Sequence, residues 1–89
     1  MKLFHVTTEK KAKYYRMTGH INKPVRGFST LMGAMAWAVK VNRTVIYAFD
    51  SEVALKLPDH HNQWGNAYWC DEDVSVDRIK CVFSAVKDA

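Results

Sequence analysis

The sequence predicts a small α+β domain in which two helices pack against a mixed or antiparallel sheet. Three observations lead there. Two segments repeat their apolar residues at helical spacing and are bracketed by Thr caps and helix stops. The run from Thr44 to Phe49 is apolar at both alternating sets of positions, the mark of a strand covered on two faces. Short β-rich segments precede and follow these elements, giving the order β-α-α-β-β-β-β.

The first strand is Lys2 to Thr7, where one imidazole, His5, stands inside an otherwise apolar run. Thr7 or Thr8 caps a helix from Glu9 to Thr18 that Gly19 ends. Ala12 and Tyr15 share its packing face, and Lys10, Lys13 and Arg16 cover much of the rest. Pro24 and Gly27 mark a connecting loop. Ser29 or Thr30 then caps a helix through Val41, with Leu31, Ala34, Met35 and Ala38 at helical spacing. Its Ala and Gly content permits close approach to a sheet. In the next strand Val45, Tyr47 and Phe49 alternate with Ile46 and Ala48, which places it centrally. Ala54 to Leu57 is a short strand stopped by Pro58, Asp59 to Asn66 a polar loop, and Ala67 to Cys70 and Ile79 to Ser84 further strands. The acidic run Asp71-Glu72-Asp73 and a turn near Asp77 join the last two.

The chain of 89 residues reads as a single domain over 1–89, close to the lower limit for one unaided core. Its 48% hydrophobic and 25% charged residues argue for a packed globule and against disorder. No stretch approaches a membrane span or a signal-peptide apolar region, so the expectation is a cytoplasmic protein with no membrane partner. Cys70 and Cys81 are then expected as free thiols. The net charge of +4 hides an asymmetry. Residues 1–43 carry nine Lys and Arg against Glu9 alone, and residues 44–89 carry four against eight carboxylates. A basic half attracts phosphates or acidic partners, whereas two oppositely charged solvated faces are the plain structural alternative.

Taken in order, several segments resemble the core of ADP-ribosyltransferase-like proteins, a group that includes toxins and RNA 2′-phosphotransferases. They are the His-bearing first strand, the Gly27-Phe28-Ser29-Thr30 lead into an Ala-rich helix, Thr44-Val45-Ile46-Tyr47, Leu57-Pro58-Asp59, and the acidic turn before Ile79-Lys80-Cys81-Val82. The resemblance spans most of the chain through short motifs. It implies an ADP-ribosyltransferase-like core and NAD as the cofactor if the protein is an enzyme. By the same resemblance His5 would hydrogen-bond the NAD ribose, and Phe28 would stand where an aromatic ring, often Tyr, stacks on nicotinamide. The acidic residue that stabilises charge at the ribose would fall near Asn66 or Ala67, where no carboxylate stands. Asp71 could replace it only if the strand register shifted. Losing one such group commonly costs on the order of a hundred- to thousand-fold in rate. For His5 the plain alternative is a ring bonded to a neighbouring carbonyl; for Phe28, simple packing.

Other chemistry finds less footing. His60 and His61 are adjacent and would point apart in an extended segment, and neither thiol stands at ligand or nucleophile spacing from a partner, so no metal site is expected. Gly19, Gly27, Gly33 and Gly65 are dispersed and form no phosphate loop, although Arg26 could meet a phosphate at the start of the second helix. The leading expectation is a binding or inhibitor protein on a degenerate transferase-like scaffold, without a cofactor. Lys10, Lys13, Arg16, Trp64 and Tyr68 would meet a protein partner, and the small size suits a viral or mobile-element accessory protein acting on a host factor. The first alternative is a minimal NAD-dependent ADP-ribosyl or phosphoryl transferase with His5 and Asp71 as catalytic residues and His5, Phe28 and Arg26 as cofactor contacts. The second is nucleic-acid binding through Lys10, Lys11, Lys13, Arg16, Lys23 and Arg26 with Tyr14.

Overall fold

A computed structural model describes residues 1–58 and 65–85. The elements in chain order are β1 (Lys2–Thr7), α1 (Glu9–Thr18), β2 (His20–Ile21), β3 (Val25–Phe28), α2 (Leu31–Val41), β4 (Val45–Asp50), β5 (Ala54–Lys56), β6 (Ala67–Cys70), β7 (Val74–Ser75) and β8 (Lys80–Ser84). A 3-10 turn, Val76–Arg78, leads into β8. Six strands form one antiparallel sheet in the order β5-β6-β3-β1-β4-β8, and β2 pairs with β7 in a separate ribbon. The α+β class with two helices and an antiparallel sheet is as the sequence predicts.

The helices form where the caps direct them. Thr8 Oγ1 accepts from the Lys11 amide at 3.1 Å, and Gly19 takes the left-handed conformation at φ 86°, its N–H donating to the Tyr15 carbonyl at 2.8 Å. Thr30 Oγ1 caps α2 by accepting from Gly33 N at 3.1 Å, and Asn42 ends it in the left-handed region. The sheet is packed on both sides. Leu3, Val25, Tyr47, Phe49 and Cys70 gather with Ala12 and Tyr15 of α1 on one face. On the other, Val6, Phe28, Ile46 and Ala67 meet Ala34 and Ala38 of α2. With Val45 to Phe49 all buried, β4 lies inside the sheet between β1 and β8.

One segment departs from the sequence reading. Residues 25–28, expected as part of a loop marked by Pro24 and Gly27, form β3, an interior strand between β6 and β1. Its backbone bonds are long-range, from Val25↔Cys70 to Phe28↔Ala67, and local turn propensity does not report them. Gly27 is there because a Cβ at that position would lie 3.0 Å from Leu3 Cβ and 3.3 Å from the Phe4 carbonyl oxygen. The short ribbon β2–β7 was also not legible; its His20↔Ser75 and Ile21↔Val74 pairs join segments far apart in sequence. Among the described residues no helix is long and apolar enough to cross a membrane.

Candidate functional site

The site begins with a disagreement between neighbouring strands. β1 and β4 remain in register along their length, from Lys2↔Asp50 to Thr7↔Val45, whereas β1 and β3 are in register at one pair, Phe4↔Phe28. Beyond that pair the sheet parts, and two side chains satisfy backbone groups at the parting. His5 Nδ1 lies 2.6 Å from the Arg26 carbonyl oxygen of β3, and Arg43 Nη1 donates to the Val6 carbonyl of β1 at 3.4 Å.

A cleft of about 780 Å³ opens at this parting, within the size range of small-molecule sites. α1 contributes Lys11, Tyr14 and Tyr15 to its wall, β3 contributes Arg26 and Phe28, and Trp37 and Arg43 come from α2 and the residues after it. Val6, Ile21, Pro24, Leu57 and Ala67 supply apolar surface. The described lining thus combines three cations with aromatic rings and holds no carboxylate.

His5 is half-buried at the centre. A carbonyl oxygen has no proton to give, so Nδ1 carries hydrogen and donates to Arg26. Nε2 lies 3.2 Å from the Tyr15 hydroxyl, which is itself 3.3 Å from Thr7 Oγ1. Burial holds the His5 pKa below its ordinary value; the bond to the Arg26 carbonyl opposes this, and the charges of Arg43 and Lys11 lower it further. The ring is therefore neutral at pH 7.

The residues singled out from sequence fall in three places. His5, Arg26 and Phe28 come together in the cleft. Lys10, Lys13 and Arg16 lie outside its lining: Lys13 pairs with Glu9 at 3.8 Å, and Arg16 Nη1 lies 3.5 Å from the Tyr47 hydroxyl. Helix geometry explains the division. At 100° per residue Lys11 and Tyr14 lie on one flank of the buried Ala12–Tyr15 direction, with Lys13 and Arg16 on the other. Lys10, Lys13 and Arg16, three residues apart in succession, thus form one row along α1, and Lys11 stands apart from it on the cleft side. Tyr68 packs against the α1-side core. Asp71 is exposed after the last residue of β6 and does not line the cleft, while neighbouring Glu72 meets Arg78 at 3.7 Å and Asp73 accepts from the Lys23 amide at 2.9 Å. Trp64, His60 and His61 lie outside the described residues.

Sequence reasoning did not mark Tyr15, Trp37 or Arg43 as site residues. Tyr15 carries the helical spacing of a core residue, and nothing local reveals that its hydroxyl meets His5. Among the described residues no group of three or more His, Cys, Asp or Glu could hold a metal ion, and Cys70 and Cys81 are free. No protein-family model, curated protein or solved structure matches the chain.

Proposed function

We propose that the protein is a nucleotide-binding module on an ADP-ribosyltransferase-like scaffold, with NAD as the class of ligand its cleft takes. The observation that carries the reading is the coincidence, at one parting of the sheet, of Lys11, Arg26 and Arg43 with Tyr14, Phe28 and Trp37 around an oriented imidazole. A dinucleotide offers two negative phosphates and two aromatic bases joined by hydroxyl-bearing sugars. Cations answer the phosphates and ring faces answer the bases. His5 and Phe28 are the positions that the family resemblance assigns to ribose and nicotinamide. Asn66 and Ala67 stand where that scaffold would place its acid, which favours binding over transfer.

Calorimetric titration with NAD, AMP and nicotinamide tests the reading. Saturable NAD binding, weakened about tenfold or more by Arg43→Gln as expected for loss of a charge-assisted bond, supports it. Absence of heat at millimolar NAD, with the protein folded, counts against it.

A second reading, protein binding, is favoured by the outward face of α2, where Met32 is 84% and Val39 81% exposed beside half-hidden Met35. Apolar side chains so placed are typical of contact surfaces. A Met32→Glu/Val39→Glu variant that stays folded and retains every partner recovered with the parent protein would remove that face from consideration.

A further inference from the structure

Tyr15 is only 9% exposed, yet its hydroxyl reaches two polar atoms on β1. The hydrogen on His5 Nδ1 is committed to the Arg26 carbonyl, which leaves Nε2 of the neutral ring as an acceptor. The Tyr15 O–H is placed to donate to it at 3.2 Å, and the Thr7 hydroxyl can then donate to the Tyr15 oxygen at 3.3 Å. Hydrogen bonds thereby run in one direction from Thr7 through Tyr15 to Nε2, and from Nδ1 to β3.

We propose that Tyr15 is the positioning residue of this cleft: with the Nδ1 hydrogen held by the Arg26 carbonyl, its hydroxyl fixes the other end of the His5 ring, favours the neutral form, and can yield the Nε2 acceptor to a hydroxyl of the ligand. The ligand half of this statement rests on the cleft reading above. The phenol is shared between Thr7 and His5, and its contact with Thr7 is longer than the roughly 2.7–2.8 Å common for O–H···O bonds. Turning its proton toward Thr7 releases Nε2 to a sugar hydroxyl without a shift of the backbone. The imidazole and phenol rings, with centroids 5.9 Å apart and planes inclined at 48°, meet through the polar edge and do not stack.

The surroundings of His5 favour the neutral ring. Lys11, Tyr14 and Tyr15 approach from α1, Arg26 from β3 and Arg43 from the residues after α2, while Tyr47 stands opposite His5 on β4. None of these groups supplies a negative charge to an imidazolium at neutral pH.

Nitrogen-15 NMR of the His5 ring tests the proposal in the unliganded protein. The parent should show the Nδ1-protonated tautomer. Tyr15→Phe, which removes only the hydroxyl, should keep that tautomer, because the Arg26 carbonyl still takes the Nδ1 hydrogen, but should raise the titration midpoint and move the Nε2 shift away from its hydrogen-bonded value. Thr7→Val leaves the phenol only His5 to bond and should keep the parent's midpoint and Nε2 shift. NAD affinity should fall about tenfold in Tyr15→Phe, the scale of one hydrogen bond. An unchanged midpoint and Nε2 shift in Tyr15→Phe, or the same changes in Thr7→Val, would overturn the positioning role. Changes confined to Tyr15→Phe without NAD binding by the parent would support that role and overturn the ligand reading.

Discussion

Gly27→Ala is the most informative perturbation of the cleft's support, because the added atom has one defined place to go. Its Cβ would sit 3.0 Å from Leu3 Cβ, 3.3 Å from the Phe4 oxygen and 3.4 Å from the Phe4 nitrogen. Ordinary carbon–carbon contacts lie at about 3.5–4.0 Å, so β1 and β3 must separate by a few tenths of an ångström. Leu3 is fully buried and cannot swing aside. Overpacking of this kind costs roughly 1–3 kcal/mol, and Ala recovers about 0.4–1 kcal/mol by restricting the unfolded chain. The net loss is therefore about 1–2 kcal/mol, and the melting temperature falls by roughly 4–8 °C per kcal/mol in a domain of this size. Thermal and urea unfolding followed by circular dichroism measure it. Leu3→Ala should not rescue the variant, since the clashing Cβ remains. An unchanged or raised melting temperature would refute the close approach of β1 and β3 on which the parting, and hence the cleft, depends.

Three further predictions follow from single contacts. Gly19→Ala should cost about 1 kcal/mol for a different reason, the left-handed φ of 86° at the end of α1, because the added Cβ meets nothing within 4 Å; Gly19→Asn should recover part of it on thermal unfolding. Because the native pKa of His5 is lowered from 6.5, the unfolded chain binds more protons just below pH 6.5, and the contribution from neutral His5 is intact above that pH and lost as the pH falls toward the native value. Urea midpoints measured between pH 7.5 and 5 should drop less in His5→Gln than in the parent, and equal drops would contradict the half-buried neutral ring. Cys81 is exposed and Cys70 fully buried, so a thiol reagent should label one cysteine rapidly in the native protein and the second only on unfolding.

Much of the fold was legible because its signals are local. Thr8, Gly19 and Thr30 act within a few residues of themselves, and the doubly apolar β4 announces its interior position through composition alone. β3 was not legible, because Pro24 and Gly27 look like turn residues until Leu3 and Cys70 are seen beside them. The site divides in the same way. His5 stands out as an imidazole within an apolar strand, and Arg26 and Phe28 flank the glycine that brings β3 against β1. Lys11 and Tyr14 could have been found from their shared flank of α1 had the cleft's direction been known. Arg43 and Trp37 reach the cleft through the docking of α2 on the opposite face, a tertiary relation that spacing does not encode.

The central claim is that the parting between β1 and β3 is a nucleotide site. Chemical-shift mapping of the labelled protein titrated with NAD tests it most directly, with His5→Ala as a control. The account predicts saturable shifts centred on His5, Arg26, Phe28, Tyr14 and Arg43, lost or much reduced in the control. Shifts confined to the outer flank of α1 at Lys13 and Arg16, or none at millimolar NAD, would contradict it.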